Sequence, residues 1–289
     1  MKLFVFGCSF TRYHWPTWAD ILSQQYDVFE NWAVPGAGNH FIFNSVVECN
    51  RRHAFNEDDT VIVMWTTSTR EDRYVDNQWL VSGNVNDFRV YDREWVSRFA
   101  DQKGFLVRDL AFISAVNNML DKVGCKKYVT CLDTLDYEPD VSQVYKVDLD
   151  CLLPDVFSTV FNRDWYSRPG WIDWENCQQN YNKYKGKHWP GSWQEMLDIF
   201  YYKTVTNNLS KKTNSEILED LDYRRNLVRC DLHPLPGEHL LYLDRAGLGE
   251  RITKTTRKWI SECDQWLKDS ATYNKPLPNW KPARRPTRL

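Results

Sequence analysis

Two short apolar runs constrain this chain most, Leu3-Phe4-Val5-Phe6 and Thr60-Val61-Ile62-Val63-Met64-Trp65. Neither alternates between apolar and polar residues. Runs of this kind are strands covered on both faces, as in a parallel sheet. The first run stops at Gly7, and Cys8 and Ser9 follow before Phe10. Ser9 therefore lies just past the C-terminal end of a strand, the edge at which open α/β sheets place their ligands. There it is either an ordinary Ser/Thr helix cap or a nucleophile, if a histidine elsewhere reaches it.

The intervening sequence supplies helices. Residues Trp15 to Leu22 have helical spacing, with Pro16 suited to a first turn. Tyr26 to Ala33 reads as a second strand, Pro35-Gly36-Ala37-Gly38-Asn39 as a tight loop, and His40 to His53 as a helix. Residues 71–104 lack a clean period and are expected to form a long excursion over the active face. Arg108 to Val123 is an amphipathic helix closed by Gly124, and Lys127 to Leu132 is the next strand. The order β-α-β-α-β-α-β implies α/β class, a parallel sheet with right-handed crossovers.

From about residue 138 to 215 the pattern changes. Trp165, Trp171, Trp174, Trp189 and Trp193 are interleaved with Tyr, Asn, Lys, Gly and Pro. The stretch is too aromatic for a disordered linker and is expected to be an ordered insertion, a lid or a substrate-contacting subdomain. Leu227 to Cys230 reads as a last short strand or an extended approach to Asp231-Leu232-His233-Pro234. A helix from about Gly237 to Ala246 follows. A final helix from about Glu250 to Leu267 presents Ile252, Trp259, Ile260, Cys263 and Trp266. The expected layout is a core at 1–137 and 216–270, the insertion at 138–215, and a basic tail at 271–289.

Composition limits the functions available. With 42% hydrophobic residues among 289, the chain can bury a large core. A net charge of -2 exerts no global pull toward nucleic acid or a membrane surface. Only the tail, with Lys275, Lys281, Arg284, Arg285 and Arg288, offers a polyanion a weak electrostatic contact. No run approaches the roughly 18 apolar residues of a membrane span, and the first apolar run is too short for a signal peptide. A cytoplasmic location is therefore expected. The eight Cys include no Cys-x-x-Cys pair, and no His/Asp/Glu set has ligand spacing. No metal or other cofactor is expected, and the thiols read as free, small hydrophobes. The 14 Trp suit either a Trp-rich core or an aromatic-lined binding surface. Nothing in the sequence fixes the oligomeric state.

Acyl transfer needs a hydroxyl nucleophile, a His to take and return its proton, a carboxylate to orient the His, and N–H donors for the oxyanion. Ser9, the loop around Gly36 and the Asp231/His233 pair supply these parts. In order along the chain, Gly7-Cys8-Ser9-Phe10-Thr11, Asn31-Trp32-Ala33-Val34-Pro35-Gly36, Val61 to Ser68, and Asp231 to His239 resemble the blocks of the SGNH (GDSL-like) hydrolase family. The resemblance covers about 1–70, 108–133 and 228–247.

The resemblance implies a three-layer α/β/α sandwich of flavodoxin-like order and an ester hydrolase without a cofactor. Ser9 would be the nucleophile and one oxyanion donor through its own N–H, and Gly36 would give a second N–H. His233 would be the base and then the acid, and Asp231 would orient it. The substrate would be a small-molecule or glycan ester, an O-acyl carbohydrate being favoured by the Trp content. The same site would serve an O-acyltransferase with an acceptor other than water, or persist in an inactive binding protein. The sequence departs from the family pattern in three places. Cys8 stands where the family has Asp, and Asp231 is two residues before His233 rather than three. Trp65-Thr66-Thr67-Ser68 replaces the third block's Gly-x-Asn-Asp. A hydroxyl of Thr67 or Ser68, or the amide of Asn39, would have to replace the missing Asn. Arg70 either binds an anionic substrate group or pairs with Glu71 or Asp72.

Overall fold

The computed structural model describes residues 1–85, 90–132, 153–161, 233–268, 277 and 280. The chain divides into two units. The first comprises Met1–Arg163, Pro234–Cys263 and Pro278–Leu289, and the second Asp164–His233 and Asp264–Leu277. Nearly all of the second lies outside the described residues, including the five clustered Trp and Asp231.

Four strands make the expected parallel sheet. They are β1 (Lys2–Phe6), β2 (Val28–Asn31), β3 (Asp59–Trp65) and β6 (Lys126–Cys131). The spatial order is β2-β1-β3-β6, the order of flavodoxin-like sheets. Phe4 pairs with Glu30 on one side and Val61 on the other. The apolar runs are buried as their lack of alternation predicts, since Leu3 to Phe6 and Val61 to Trp65 expose almost nothing. Each such side chain contributes about 1.5–3 kcal/mol.

Right-handed crossovers fix the layers. The step from β1 to β2 runs opposite to the steps from β2 to β3 and from β3 to β6. Its helix α1 (Trp18–Ser23) therefore covers one face. Helices α2 (Asn39–His53) and α4 (Gln102–Val123) pack together over the other. Helix α6 (Pro236–Arg245) joins α1 and also packs on the short α5 (Val156–Phe161). The result is a three-layer α/β/α arrangement.

Several boundaries differ from the sequence reading for local reasons. Helix α1 begins at Trp18, because Thr17 is its cap and donates its N–H to Asp20 Oδ2 at 2.9 Å. Pro16 thus precedes the helix. Helix α4 begins before Arg108, because the Asp101 carboxylate accepts from the N–H groups of Lys103 and Gly104 at 3.2 and 3.1 Å. Helix α6 takes Pro236 at its first position, and Glu238 accepts the Leu235 N–H at 2.7 Å. A 3₁₀ turn (Gly249–Arg251) leads to the last helix, α7 (Lys254–Lys268). Its buried side chains include Ile260, Cys263 and Leu267, while Trp259 and Trp266 are half-buried.

The expected excursion at 71–104 contains regular structure. Strands β4 (Arg70–Val75) and β5 (Gln78–Asn84) form an antiparallel hairpin. Its two-residue turn, Asp76-Asn77, has φ of 49° and 61°. Two successive positive φ values make the tight turn whose twist matches paired strands, and Asp and Asn tolerate them. Helix α3 (Arg93–Phe99) follows, capped by Asp92, whose carboxylate accepts the Trp95 N–H at 2.7 Å. Among the described residues, no helix is long and apolar enough to cross a membrane.

Candidate active site

The C-terminal ends of β1 and β3 and the loop after β2 converge through the backbone. Past β1, the N–H groups of Thr11 and Arg12 both donate to Cys8 O, at 3.0 and 3.1 Å. These bonds wrap the chain around Ser9, so Ser9 lies in a tight turn and caps no helix. Ser9 is 7% exposed. Thr11 O anchors the same turn by accepting from Thr17 Oγ1 at 2.8 Å and Asn31 Nδ2 at 2.9 Å. A Cβ at Gly7 would overlap Thr11 Oγ1, so the bend into the turn needs glycine.

The glycine block reaches the same edge. Val34 N–H donates to Gly7 O at 3.2 Å, and Ala37 N–H to Val34 O at 3.0 Å. The second bond closes a turn with Pro35 and Gly36 at its centre. Gly36 has φ of 83°, the left-handed value that the third position of a type II turn requires. Among the described residues, neither the Ser9 nor the Gly36 N–H has a hydrogen-bond acceptor. The Val34–Gly7 bond joins the two turns that carry these donors.

Helix α2 starts directly after this block, and β4 caps it from a distance. Asp72 Oδ1 accepts the Gly38 N–H at 3.0 Å and Oδ2 the Phe41 N–H at 3.0 Å. A negative group is favoured at a helix N-terminus. Burial nevertheless raises the Asp72 carboxyl above its ordinary range, opposed by those two N–H groups. A Cβ at Gly38 would lie 2.7 Å from Asp72 Oδ2 and 2.9 Å from Arg70 Cβ, so only glycine admits the strand this closely.

Asn39 is fully buried, and its amide is engaged on every side. Its Oδ1 accepts the Thr66 N–H at 2.8 Å. Its Nδ2 donates to Thr66 O at 2.9 Å and to Asp109 Oδ2 at 2.7 Å. Arg108 continues the network, donating to Asp109 Oδ1 at 2.8 Å, to Glu71 and to Arg70 O. Burial pushes the Asp109 carboxyl up to about 6, against the pull of Arg108 and Asn39. Asn39 thus pins the end of β3 to α2 and α4. Arg70 is half-buried and donates to Ala37 O at 2.9 Å, bracing the glycine loop.

Thr67 and Ser68 lie just past β3 and are half-buried. Thr67 Oγ1 accepts from Thr69 Oγ1 at 3.4 Å, leaving its own proton to donate. His233 is buried, and the next residue, Pro234, accepts the Trp15 Nε1–H through its carbonyl at 2.8 Å. Trp15 follows the Ser9 turn, so the start of the Pro234-to-α6 segment is tied to the loop that carries Ser9. Asp231 lies outside the described residues. Asn39, Asp72 and Asp109 form a buried frame that the sequence reading did not anticipate.

Asp20 sits under the same turn, bonded to the Thr17 N–H and hydroxyl. Burial pushes its carboxyl from 3.8 up to about 6, against those two donors. The folded chain therefore keeps a proton that the unfolded chain releases near pH 4. The resulting stabilisation is complete below 3.8 and is lost as pH rises to about 6, by roughly 3 kcal/mol for this group. Asp20→Asn is expected to flatten the fall of the urea midpoint between pH 4 and 6. Asp109 has the same sign, so part of the slope remains.

No family profile matches the sequence, and no curated protein matches it. Among solved structures, the chain is similar to the psychrotrophic esterase EstA from Pseudoalteromonas sp., in a structure inhibited by monoethylphosphonate. That similarity has 9% identity and a TM-score of 0.31, over 58% of this chain and 84% of that chain.

Proposed function

We propose that this chain is a serine ester hydrolase of the SGNH type. Ser9 Oγ attacks the ester carbonyl while His233 accepts its proton. The N–H groups of Ser9 and Gly36 receive the developing oxyanion. His233 then protonates the leaving alcohol, and water, deprotonated by His233, releases the acid from the acyl-enzyme. Asp231 orients His233. A hydroxyl of Thr67 or Ser68 serves as third donor, since the Asn39 amide is engaged by Thr66 and Asp109. The Trp content favours an O-acyl carbohydrate as substrate, because indole faces stack on sugar rings.

One observation carries this reading. Ser9 lies in a tight turn beyond a buried parallel strand, beside a glycine turn whose Gly36 N–H has no acceptor among the described residues.

A fluorophosphonate probe tests the proposal directly. The folded protein is expected to be labelled stoichiometrically at Ser9, as mapped by peptide mass spectrometry, with no label on Ser9→Ala. Absence of Ser9 labelling, with p-nitrophenyl acetate turnover unchanged in Ser9→Ala, sinks the reading.

A further inference from the structure

At the other end of α2, the fold brings together three groups that the sequence holds apart. Cys49 and His53 are one helical turn apart and so share a face. Glu30 comes from β2, where it pairs with Phe4; partners in a parallel pair point to the same face of the sheet. The Phe4 ring lies 5.0 Å from the His53 ring, so that face is the one under α2. The Cys49 Sγ, a His53 ring nitrogen and a Glu30 carboxylate oxygen all lie within 4.8 Å of one another.

We propose that Glu30, Cys49 and His53 bind a zinc-class divalent cation, with solvent in the fourth position. Thiolate, imidazole and carboxylate are the donors that zinc accepts, and three protein ligands leave a tetrahedral ion one open place. Bond lengths of 2.0–2.3 Å at tetrahedral angles need donors roughly 3.3–3.7 Å apart. His53 Nε2 and Glu30 Oε2 are already 3.1 Å apart. Cys49 Sγ lies within 4.8 Å of both donors and closes to that range on binding. His53 and Glu30 are partly exposed and give the ion its path in, while Cys49 is buried behind them.

The surroundings resemble a ligand shell. Trp32 donates its indole N–H to Glu30 Oε2 at 2.8 Å, fixing the carboxylate. The site is at the C-terminus of α2, whose carbonyls favour a cation. Binding replaces one proton, since the Cys49 thiol must deprotonate as the Zn–S bond forms and its proton passes to solvent. Cys49 lies ten residues, about 15 Å, along α2 from Asn39, toward the opposite end of the helix from the Gly36 turn. The ion would staple the end of α2 to the edge strand and take no part in acyl transfer.

Equilibrium dialysis with zinc and near-ultraviolet absorption with cobalt(II) on the purified full chain test the site. One equivalent of zinc, a thiolate-to-cobalt charge-transfer band and a rise in thermal midpoint are expected. His53→Gln and Cys49→Ser are each expected to weaken zinc binding more than about 100-fold and remove the band. Trp32→Phe is expected to weaken binding by about 10–100-fold. Ser9→Ala should bind zinc as the parent does. Absence of the band in the parent overturns the proposal whether or not any variant folds. A band and a stoichiometry that persist in both folded ligand variants also overturn it.

Discussion

Ser9→Ala is expected to lower kcat/KM for p-nitrophenyl acetate by about 10⁴–10⁶-fold, and His233→Ala by a similar factor. The double variant should be no slower than either single one. In the proposed mechanism nucleophile and base act as one unit, so removing the second after the first takes away nothing further. Residual turnover above that of water would come from the Ser9-position and Gly36 N–H groups, which the backbone supplies whatever the side chains. Thr67→Val and Ser68→Ala separate the remaining donors. The one that supplies the third hydrogen bond should lose about 10²–10³ in kcat, and the other little. Additive losses from Ser9→Ala and His233→Ala would mean that the two side chains do not form one proton-transfer pair.

Asn39→Ala is expected to be the most destabilising single change near the site, by about 3–5 kcal/mol. It removes three buried hydrogen bonds, leaves the backbone of Thr66 without partners on that side, and strips the Asp109 carboxylate of its amide donor. A lower urea midpoint, with the slope preserved, would report it. Asn39→Asp provides a sharper check. It sets a second carboxylate against Asp109, whose own carboxyl is already pushed up to about 6. At pH 8 the two charges repel, and at pH 5 one proton can bridge them. The Asp variant should therefore recover stability on acidification through that window, and the Ala variant should recover less. Equal pH dependence of the two variants would show that Asn39 and Asp109 are not coupled.

What the sequence made legible follows from how local each signal is. The parallel sheet was readable because β1 and β3 are apolar on both faces, which few other structures permit. The end of α4 was readable because Gly124 marks it, and the loop at Gly36 because Pro-Gly specifies its turn. The hairpin at 70–84 was hidden because its strands are largely exposed and carry many charges, masking the alternation. Its turn, Asp76-Asn77, was the usable sign. The start of α4 was missed because its Asp101 cap lies among residues of no clear period.

The turns at Ser9 and at Gly36 could be placed from short runs alone. Their frame could not, because Asn39 meets Thr66 and Asp109, which lie far along the chain. Glu30, Cys49 and His53 were likewise unreadable as a set, since a strand and a helix contribute to it and the Cys49/His53 interval resembles any amphipathic helix.

The cap that β4 places on α2 has a consequence for the order in which the molecule is made. Gly38 and Phe41 present their N–H groups to Asp72, a residue synthesised well after them. Until that carboxylate arrives, the first turn of α2 has only water for these donors. Until Asp109 arrives, Asn39 has no carboxylate to hold. A nascent chain carries the Ser9 and Gly36 turns and the Val34–Gly7 bond between them from the start, yet the Asn39 clamp on the end of β3 is complete only once translation has passed Asp109. The end of β3 is thus fixed late, onto an edge made early.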